Sequence, residues 1–421
     1  MSHPRPAPIA IVGGGPCGLT FARLLELAGL DYIVFERDSS ADPKSHHQGG
    51  TLDIHPGTGQ AALEAAGLKD GFEKLARYEA DVFTVQDFRG DHRFRTGDEG
   101  VMEGGRPEID RGQLRTLLLD SVPRHRMRWG KVLKSVERKD GGEEAGAGAA
   151  AGWILRFADG SEESGFRLVV GADGAWSKVR PVITPAKPTY SGKSYIEGRI
   201  TPTNPQYAAA QELAGPGTSA TCGAGRVLVV QQLSDKSYRM YAGIEDEESL
   251  VRPGGILDFA TDINKSRVAL LERFADFAPH IRAFVENAEG PWRVWPLYYL
   301  DAKTFSSDGS WTHAPGVTLL GDAAHVALPN GEGVNLAMYD ALRLFQCLSA
   351  ELPKKGEEKT FDAQADAAAI ERAIVAYETE MRTKAEEHVI DGIQMNDMMY
   401  VADGAQRMTA FFQQFEGADQ Q

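Results

Sequence analysis

Ile9-Ala10-Ile11-Val12-Gly13-Gly14-Gly15-Pro16-Cys17-Gly18 opens the stretch that decides the fold. The apolar run Ile9–Val12 has the length and composition of a buried strand, and Gly13, Gly15 and Gly18 follow it at G-x-G-x-x-G spacing. A helical stretch runs on to Gly29, and a second apolar run, Tyr32-Ile33-Val34-Phe35, ends at Glu36. Together these make a βαβ unit. Glycines are required at this spacing because the chain must turn sharply, bring its backbone against a pyrophosphate, and pack helix on strand with no Cβ between them. The helix start adds free N–H groups and partial positive charge. Glu36 stands where an acidic side chain accepts the ribose hydroxyls of an adenosine. The unit predicts a dinucleotide site.

Composition narrows what surrounds that unit. In 421 residues, 42% are hydrophobic and 25% charged, which is ordinary globular usage and enough for two or three domains. A formal charge of −15 argues against nucleic acid or an anionic membrane surface as a partner, since either would want a basic face, and plain solubility accounts for the acidity. Cys17, Cys222 and Cys347 are scattered without metal or disulfide spacing, so no metal is expected and a reducing, cytoplasmic setting fits. No apolar run is long enough to span a membrane, and the N-terminus has no signal-like apolar core. Composition does not fix the oligomeric state.

Further along, Gly57–Gly67 and Asp110–Val122 read as helices, the second capped by Asp110. Lys131–Lys139 and Trp153–Phe157 read as strands joined by a Gly-, Ala- and Glu-rich connector over 140–152. Phe166–Asp173 is a buried strand opening into Asp173-Gly174-Ala175-Trp176-Ser177-Lys178-Val179-Arg180. From Pro185 to about Gly290 strands alternate, including Arg226–Val230 and Ser237–Gly243, with a helical insert near Asp258–Phe277. Val317–Asp322 is again a buried strand, followed by Pro329, Gly331, Gly333, Val334 and Asn335 at a glycine-rich helix start, and the remainder is helical. A carboxylate such as Asp322 at a strand's carboxyl end can accept a ribityl hydroxyl, and the bare N–H groups of a glycine-rich helix start can meet an anion or an isoalloxazine oxygen.

The predicted architecture is α/β: a discontinuous Rossmann-like domain over 1–75, 101–184 and 291–350, an inserted sheet-rich domain over 76–100 and 185–290, and a C-terminal helical segment over 351–421. A ligand cleft is expected between the two domains.

The glycine unit with Glu36-Arg37, the Asp-Gly stretch at Asp173–Arg180 and the Gly321-Asp322 pair together resemble the group A FAD-dependent monooxygenases, the aromatic hydroxylases. Gly49-Gly50-Thr51-Leu52-Asp53-Ile54-His55 and Pro107–Arg115 are most similar to the tetracycline-inactivating members. The resemblance implies FAD and NADPH as cofactors, molecular oxygen as co-substrate, and hydroxylation of a phenolic or polyketide-like molecule, with tetracycline among the candidates, through a flavin C4a-hydroperoxide. It places Glu36 on the adenosine ribose, Arg37 on the adenine side, Asp53 and Arg111 on the flavin half, Asp173 and Asp322 along the cofactor, and Pro329 with Gly333, Val334 and Asn335 at the flavin's pyrimidine edge. No side chain is required as a nucleophile. By the same resemblance Glu197, Arg226 and Tyr241 would meet the substrate, the alternative being that Glu197 and Arg226 pair with each other or face solvent on the outer side of the sheet.

Three departures accompany it. His46, His47 and Lys44 stand where the tetracycline-inactivating members have an arginine that contacts NADPH, the loop Pro329–Gly333 is one residue shorter, and Glu332 and Glu197 replace amides. Two other functions share the fold signals: a flavin-dependent halogenase, whose W-x-W-x-I-P motif is missing at Trp292-Arg293-Val294-Trp295-Pro296, and a flavin-binding module that sequesters ligands without oxygenating them.

Overall fold

The computed structural model describes residues 6–41, 49–96, 105–138, 152–353 and 361–416. Four stretches of the sequence with almost no polar residues come together in one parallel sheet. Val317–Leu319, Leu168–Gly171, Ile9–Val12 and Tyr32–Phe35 lie side by side in that order, with the short strand Met127–Arg128 at the edge. Their apolar character follows from burial on both faces, as parallel sheets require. On one face the helix Pro16–Ala28 packs with Gly333–Glu351, and the long helix Ala363–Met399 lies over the latter. On the other, an antiparallel trio, Leu133–Arg138, Trp153–Phe157 and Glu162–Ser164, docks through Phe157, whose ring lies 5.1 Å from that of Phe35. Pro16 starts its helix at a position where no N–H is needed, and Gly29 ends it in the left-handed region at φ 71°.

Seven strands form the second sheet, in the order Glu289–Tyr299, Thr189–Ile200, Tyr238–Glu245, Arg226–Gln232, Thr218–Gly223, Phe83–Asp87, Arg93–Arg95. One face buries Leu228, Val230, Met240 and Ala242 against helices that carry Leu270, Phe274 and Phe284. The opposite face is shared. At one end the C-terminal segment covers it, Met399, Tyr400, Ala405 and Met408 packing on Val85, Ala220, Cys222 and Val227. The rest of it meets the loop at Gly49–Gly50.

The strand Glu289–Tyr299 pairs along Thr189–Ile200, so the boundary expected at 290 falls inside a strand. This eleven-residue strand, whose pairing is interrupted by two register shifts, carries the chain out of the second sheet before it re-enters the first. The helix expected from Asp110 runs over Arg111–Asp120 with Asp110 at its N-cap, where Ser234 and Arg77 hold the carboxylate and tie this helix to the seven-stranded sheet. The connector between Arg138 and Trp153 falls largely on residues outside those described. No helix among the described residues is long and apolar enough to cross a membrane.

Candidate cofactor and substrate site

The three glycines of the opening turn have three different surroundings. Gly13 sits at φ 111°, and a Cβ there would lie 2.2 Å from the carbonyl oxygen of Ala172. A Cβ on Gly18 would lie 2.1 Å from the carbonyl oxygen of Gly13. Gly15 faces open space, with nothing within 4 Å of such an atom. Two glycines thus close the turn and one leaves its backbone bare at the start of the helix. Glu36, 7% exposed, is already aimed at this turn: Oε2 accepts from the Gly14 N–H at 2.5 Å and Oε1 from the Asp38 N–H at 2.9 Å. Arg37 beside it is exposed.

Asp173 and Asp322 follow neighbouring strands of the parallel sheet, so both lie at the same carboxyl edge as the glycine turn, where ligands bind in open α/β sheets. Asp173 Oδ2 accepts from the Lys178 N–H at 2.7 Å, its Oδ1 is buried without a partner, and burial pushes its pKa upward. Arg180, which is buried, joins the two turns by donating from Nε to the Ala323 carbonyl and from Nη2 to the Asp322 carbonyl, each at 2.8 Å. Its guanidinium is lowered to about 10 by burial, against the pull of Asp173 and Asp322. Asp322 itself is exposed. His325 is not free for chemistry: its Nε2 lies 2.6 Å from Asp340 Oδ2, both side chains being buried, and the same oxygen accepts from the Gly321 N–H at 2.9 Å.

The loop before the helix Gly333–Glu351 is stapled to the strand Thr51–Asp53 by one fully buried side chain. Asn335 Oδ1 accepts from the His55 N–H at 2.8 Å, and its Nδ2 donates to the carbonyls of Asp53 at 2.8 Å and Gly331 at 3.3 Å. Its amide is therefore occupied by protein backbone, and what this helix start offers a ligand is the N–H groups of its first turn. A Cβ on Gly333 would meet nothing within 4 Å, so that approach is open. Pro329 is exposed beside it, and Val334 is half-buried. Arg111, also exposed, lies over Gly49, whose Cβ would fall 3.0 Å from the arginine Nε.

Across from this edge stands the shared face of the seven-stranded sheet. Cross-strand partners Glu197, Tyr241, Val229 and Ala220 lie in one row on that face, and Arg239 and Gln231 lie in the next. Gly50 fits closely under it: a Cβ would fall 2.2 Å from Gln231 Oε1 and 2.8 Å from the Tyr241 hydroxyl. Glu197 is fully buried, with Oε1 2.6 Å from Arg239 Nη1 and Oε2 accepting from Trp295 Nε1 at 2.8 Å. The Glu197–Arg239 contact is an ion pair by distance without hydrogen-bond alignment, since Oε1, Nη1 and Nε all lack a hydrogen-bond partner. Burial, reinforced by the charge of Glu197, pushes the Tyr241 phenol well above its ordinary pKa.

Arg226 does not join this group. It stands three residues from Val229, an odd step along a strand, and so projects from the opposite face. There Nη2 donates to Asp276 at 2.8 Å and the guanidinium lies 5.6 Å from the Phe277 ring centroid. The partner of Glu197 is Arg239, which reading the sequence by resemblance missed, although it lies two residues before Tyr241 and therefore on the same face. Gln231, His55 and Asp340 were missed as well. His46 lies outside the described residues, with Lys44 and His47. Among the described residues no group of three or more His, Cys, Asp or Glu side chains could hold a metal ion.

The chain matches the FAD binding domain family over residues 6–206 and 309–382. The monooxygenase penA of Penicillium thymicola is 31% identical over 405 aligned residues, covering 88% of this chain and 90% of that protein. Klebsiella pneumoniae HpxO, solved with FAD and uric acid, shares the fold with a TM-score of 0.71 at 21% identity, over 97% of this chain and 92% of that one. The tetracycline destructase Tet(51) shares it with a TM-score of 0.64 at 18% identity, over 96% and 95%. The chain belongs to the FAD binding domain family, as an FAD-dependent monooxygenase of the aromatic-hydroxylase type.

Proposed function

We propose that this protein inserts one atom of molecular oxygen into an electron-rich, phenolic or polyketide-like small molecule, with NADPH as the reductant. The observation that carries the reading is the facing of two surfaces. One is the cofactor edge, with its open positions at Gly15 and Gly333 and its exposed Asp322 and Arg111. The other is the shared sheet face carrying Tyr241, Tyr195 and Trp295.

In this reading the pyrophosphate of FAD crosses Gly13, Gly15 and Gly18 at the start of the helix Pro16–Ala28, where N–H groups and partial positive charge favour an anion. Glu36 takes the ribose hydroxyls and Arg37 borders the adenine. Asp322 meets the ribityl chain, with Asp173 and Arg180 holding that turn. Asp53 and Arg111 border the flavin half, and the first-turn N–H groups from Gly333 and Val334 address the pyrimidine edge beside Pro329, with Asn335 fixing the loop. FAD supplies hydride acceptance and oxygen activation. The protein supplies orientation and a cleft that excludes water.

Tyr241, Gln231 and Trp295 form the substrate wall, and the buried Glu197–Arg239 pair lies behind it. A planar aromatic ring matches such a wall by stacking and edge contacts. A planar, electron-rich heterocycle is also what the Klebsiella enzyme was solved with, and tetracycline, with its fused phenolic and enolic rings, is one candidate to assay. His46 is proposed to contact NADPH on the sequence alone.

The test is to load the purified protein with FAD and measure NADPH oxidation against aromatic polyketides, tetracyclines and simple phenols, with product masses. A substrate that both stimulates NADPH consumption and gains one oxygen supports the reading. Tight FAD binding with no stimulation by any aromatic compound would reject it. His46→Ala is expected to raise the KM for NADPH and leave FAD content unchanged.

A further inference from the structure

The helix Gly333–Glu351 has an acidic residue, Glu332, at its N-cap, yet that side chain caps nothing in its own helix. A carboxylate beside a helix start is attracted to the free N–H groups and partial positive charge of the first turn. Here it is turned away to His55, with Oε1 2.9 Å from Nδ1. The other ring nitrogen of His55, Nε2, lies 2.7 Å from Asp53 Oδ2. The His55 side chain is 7% exposed, while those of Asp53 and Glu332 are 37% and 43% exposed. With a carboxylate on each nitrogen, both nitrogens act as donors only when the ring is protonated. Burial opposes the charge, but the two hydrogen bonds and the two carboxylates outweigh it and raise the His55 pKa to about 9. From the other packed elements Arg106 and His388 face Glu332; Arg106 favours its ionised form, and His388 is lowered by burial to about 3 and stays neutral.

We propose that His55 is a positioning residue for the cofactor: it withholds the Glu332 carboxylate from the helix start, so that the first-turn N–H groups and their positive end remain free for the flavin. This rests on FAD lying at that helix as proposed above. Without the imidazolium, Glu332 is free to swing back, cap its own helix and place an uncompensated negative charge where the flavin's carbonyl edge docks. Glu332 is one of the positions at which this chain departs from the tetracycline-inactivating proteins it resembles, so the counter-ion is required by this chain's own substitution.

The experiment is a double-mutant cycle on FAD affinity, read by titrating apoprotein with FAD and following flavin fluorescence. His55→Gln is expected to weaken FAD binding about tenfold or more, Glu332→Gln to leave it within about threefold of the wild type, and the double variant to recover to that same range. A double variant as weak as His55→Gln, or a His55→Gln protein that binds FAD normally, overturns the proposal. Should His55→Gln not fold, the wild-type pH profile decides: FAD affinity is expected to hold to about pH 8 and fall as pH passes 9, and Glu332→Gln to remove that fall. Equal profiles overturn the proposal. A wild-type apoprotein that takes up no FAD at any pH rejects the cofactor reading instead.

Discussion

At the scale of single residues, the glycines of the opening turn separate folding from binding. Gly15→Ala places a methyl in open space at an ordinary φ of −79°, so the apoprotein is expected to melt at the wild-type temperature while FAD affinity drops about tenfold or more, roughly 1.4 kcal/mol. Gly13→Ala combines a left-handed φ with a collision against Ala172, and should cost well over about 1 kcal/mol of stability before any ligand is added. Equal losses of stability in the two would show that Gly15 is closed in as well. Arg239 and Arg226 form a second contrast. Arg239→Ala leaves the Glu197 carboxylate buried without its counter-ion, held only by the Trp295 indole N–H, and urea unfolding should report a loss of about 3–5 kcal/mol. Arg226→Ala removes a half-exposed contact to Asp276 on the far face, with an expected loss of about 1 kcal/mol or less and no change in substrate KM. A raised KM in Arg226→Ala would require that face to take part in binding.

At the scale of elements, the strand Glu108–Asp110 pairs with Thr51–Asp53 and reaches the seven-stranded sheet through its side chains, and its first residue carries a charge problem. Glu108 is 6% exposed, bonded to Thr51 Oγ1 at 2.5 Å and to Thr218 Oγ1 at 3.3 Å, and 3.3 Å from Arg77. Burial outweighs these partners and raises its pKa to about 7. The folded protein therefore holds this proton more tightly than the unfolded chain does. The stability so gained is complete below about pH 4.5 and is lost as pH rises through 7, a change on the order of 3 kcal/mol. Glu108→Gln should flatten that part of the stability profile; an unchanged slope between pH 4.5 and 7 would assign the proton elsewhere. The elements also show what could be read in advance. The apolar runs at Ile9, Tyr32, Leu168 and Val317 are legible because burial on both faces leaves no other composition open to them, and the motif carboxylates Asp173 and Asp322 follow from where those strands end. Arg226 and Arg239 each lay inside a strand expected from the sequence, but which face a residue takes depends on register, and one residue of slip reverses it. The staple by Asn335 was out of reach for a different reason: its partners Asp53 and His55 are 282 and 280 residues away in the chain.

For the whole molecule, the C-terminal segment has a task that its helical pattern does not announce. It closes one end of the sheet face on which the substrate is proposed to lie. Lys193 Nζ binds Asp397 at 2.9 Å, and Met399, Tyr400, Ala405 and Met408 complete a small core with Val85, Ala220, Cys222 and Val227. Ending the chain at Tyr400 removes half of that cover. The shortened protein is expected to keep its FAD, to lose roughly 2–5 kcal/mol of stability, and to bind substrate more weakly because one end wall of the cleft is gone. An unchanged KM with the same loss of stability would confine the segment to a structural part.

The order in which the parallel strands are made has a consequence for how the holoprotein comes into being. Residues at both ends of the proposed FAD edge, Gly13 and Gly333, are separated by roughly three hundred residues of chain, and the entire seven-stranded sheet except its supporting C-terminal cover is translated between them. At some 5–20 residues per second, a ribosome needs about 15–60 seconds to pass from the first glycine turn to the second helix start. Throughout that interval the nascent chain holds the glycine turn proposed for the adenosine half but lacks Asp322 and the helix start proposed for the ribityl chain and the pyrimidine edge. Flavin capture is thus a late event, and nascent chains arrested before Asp322 should bind adenine nucleotides weakly and FAD no better, whereas released full-length chains take up the yellow cofactor.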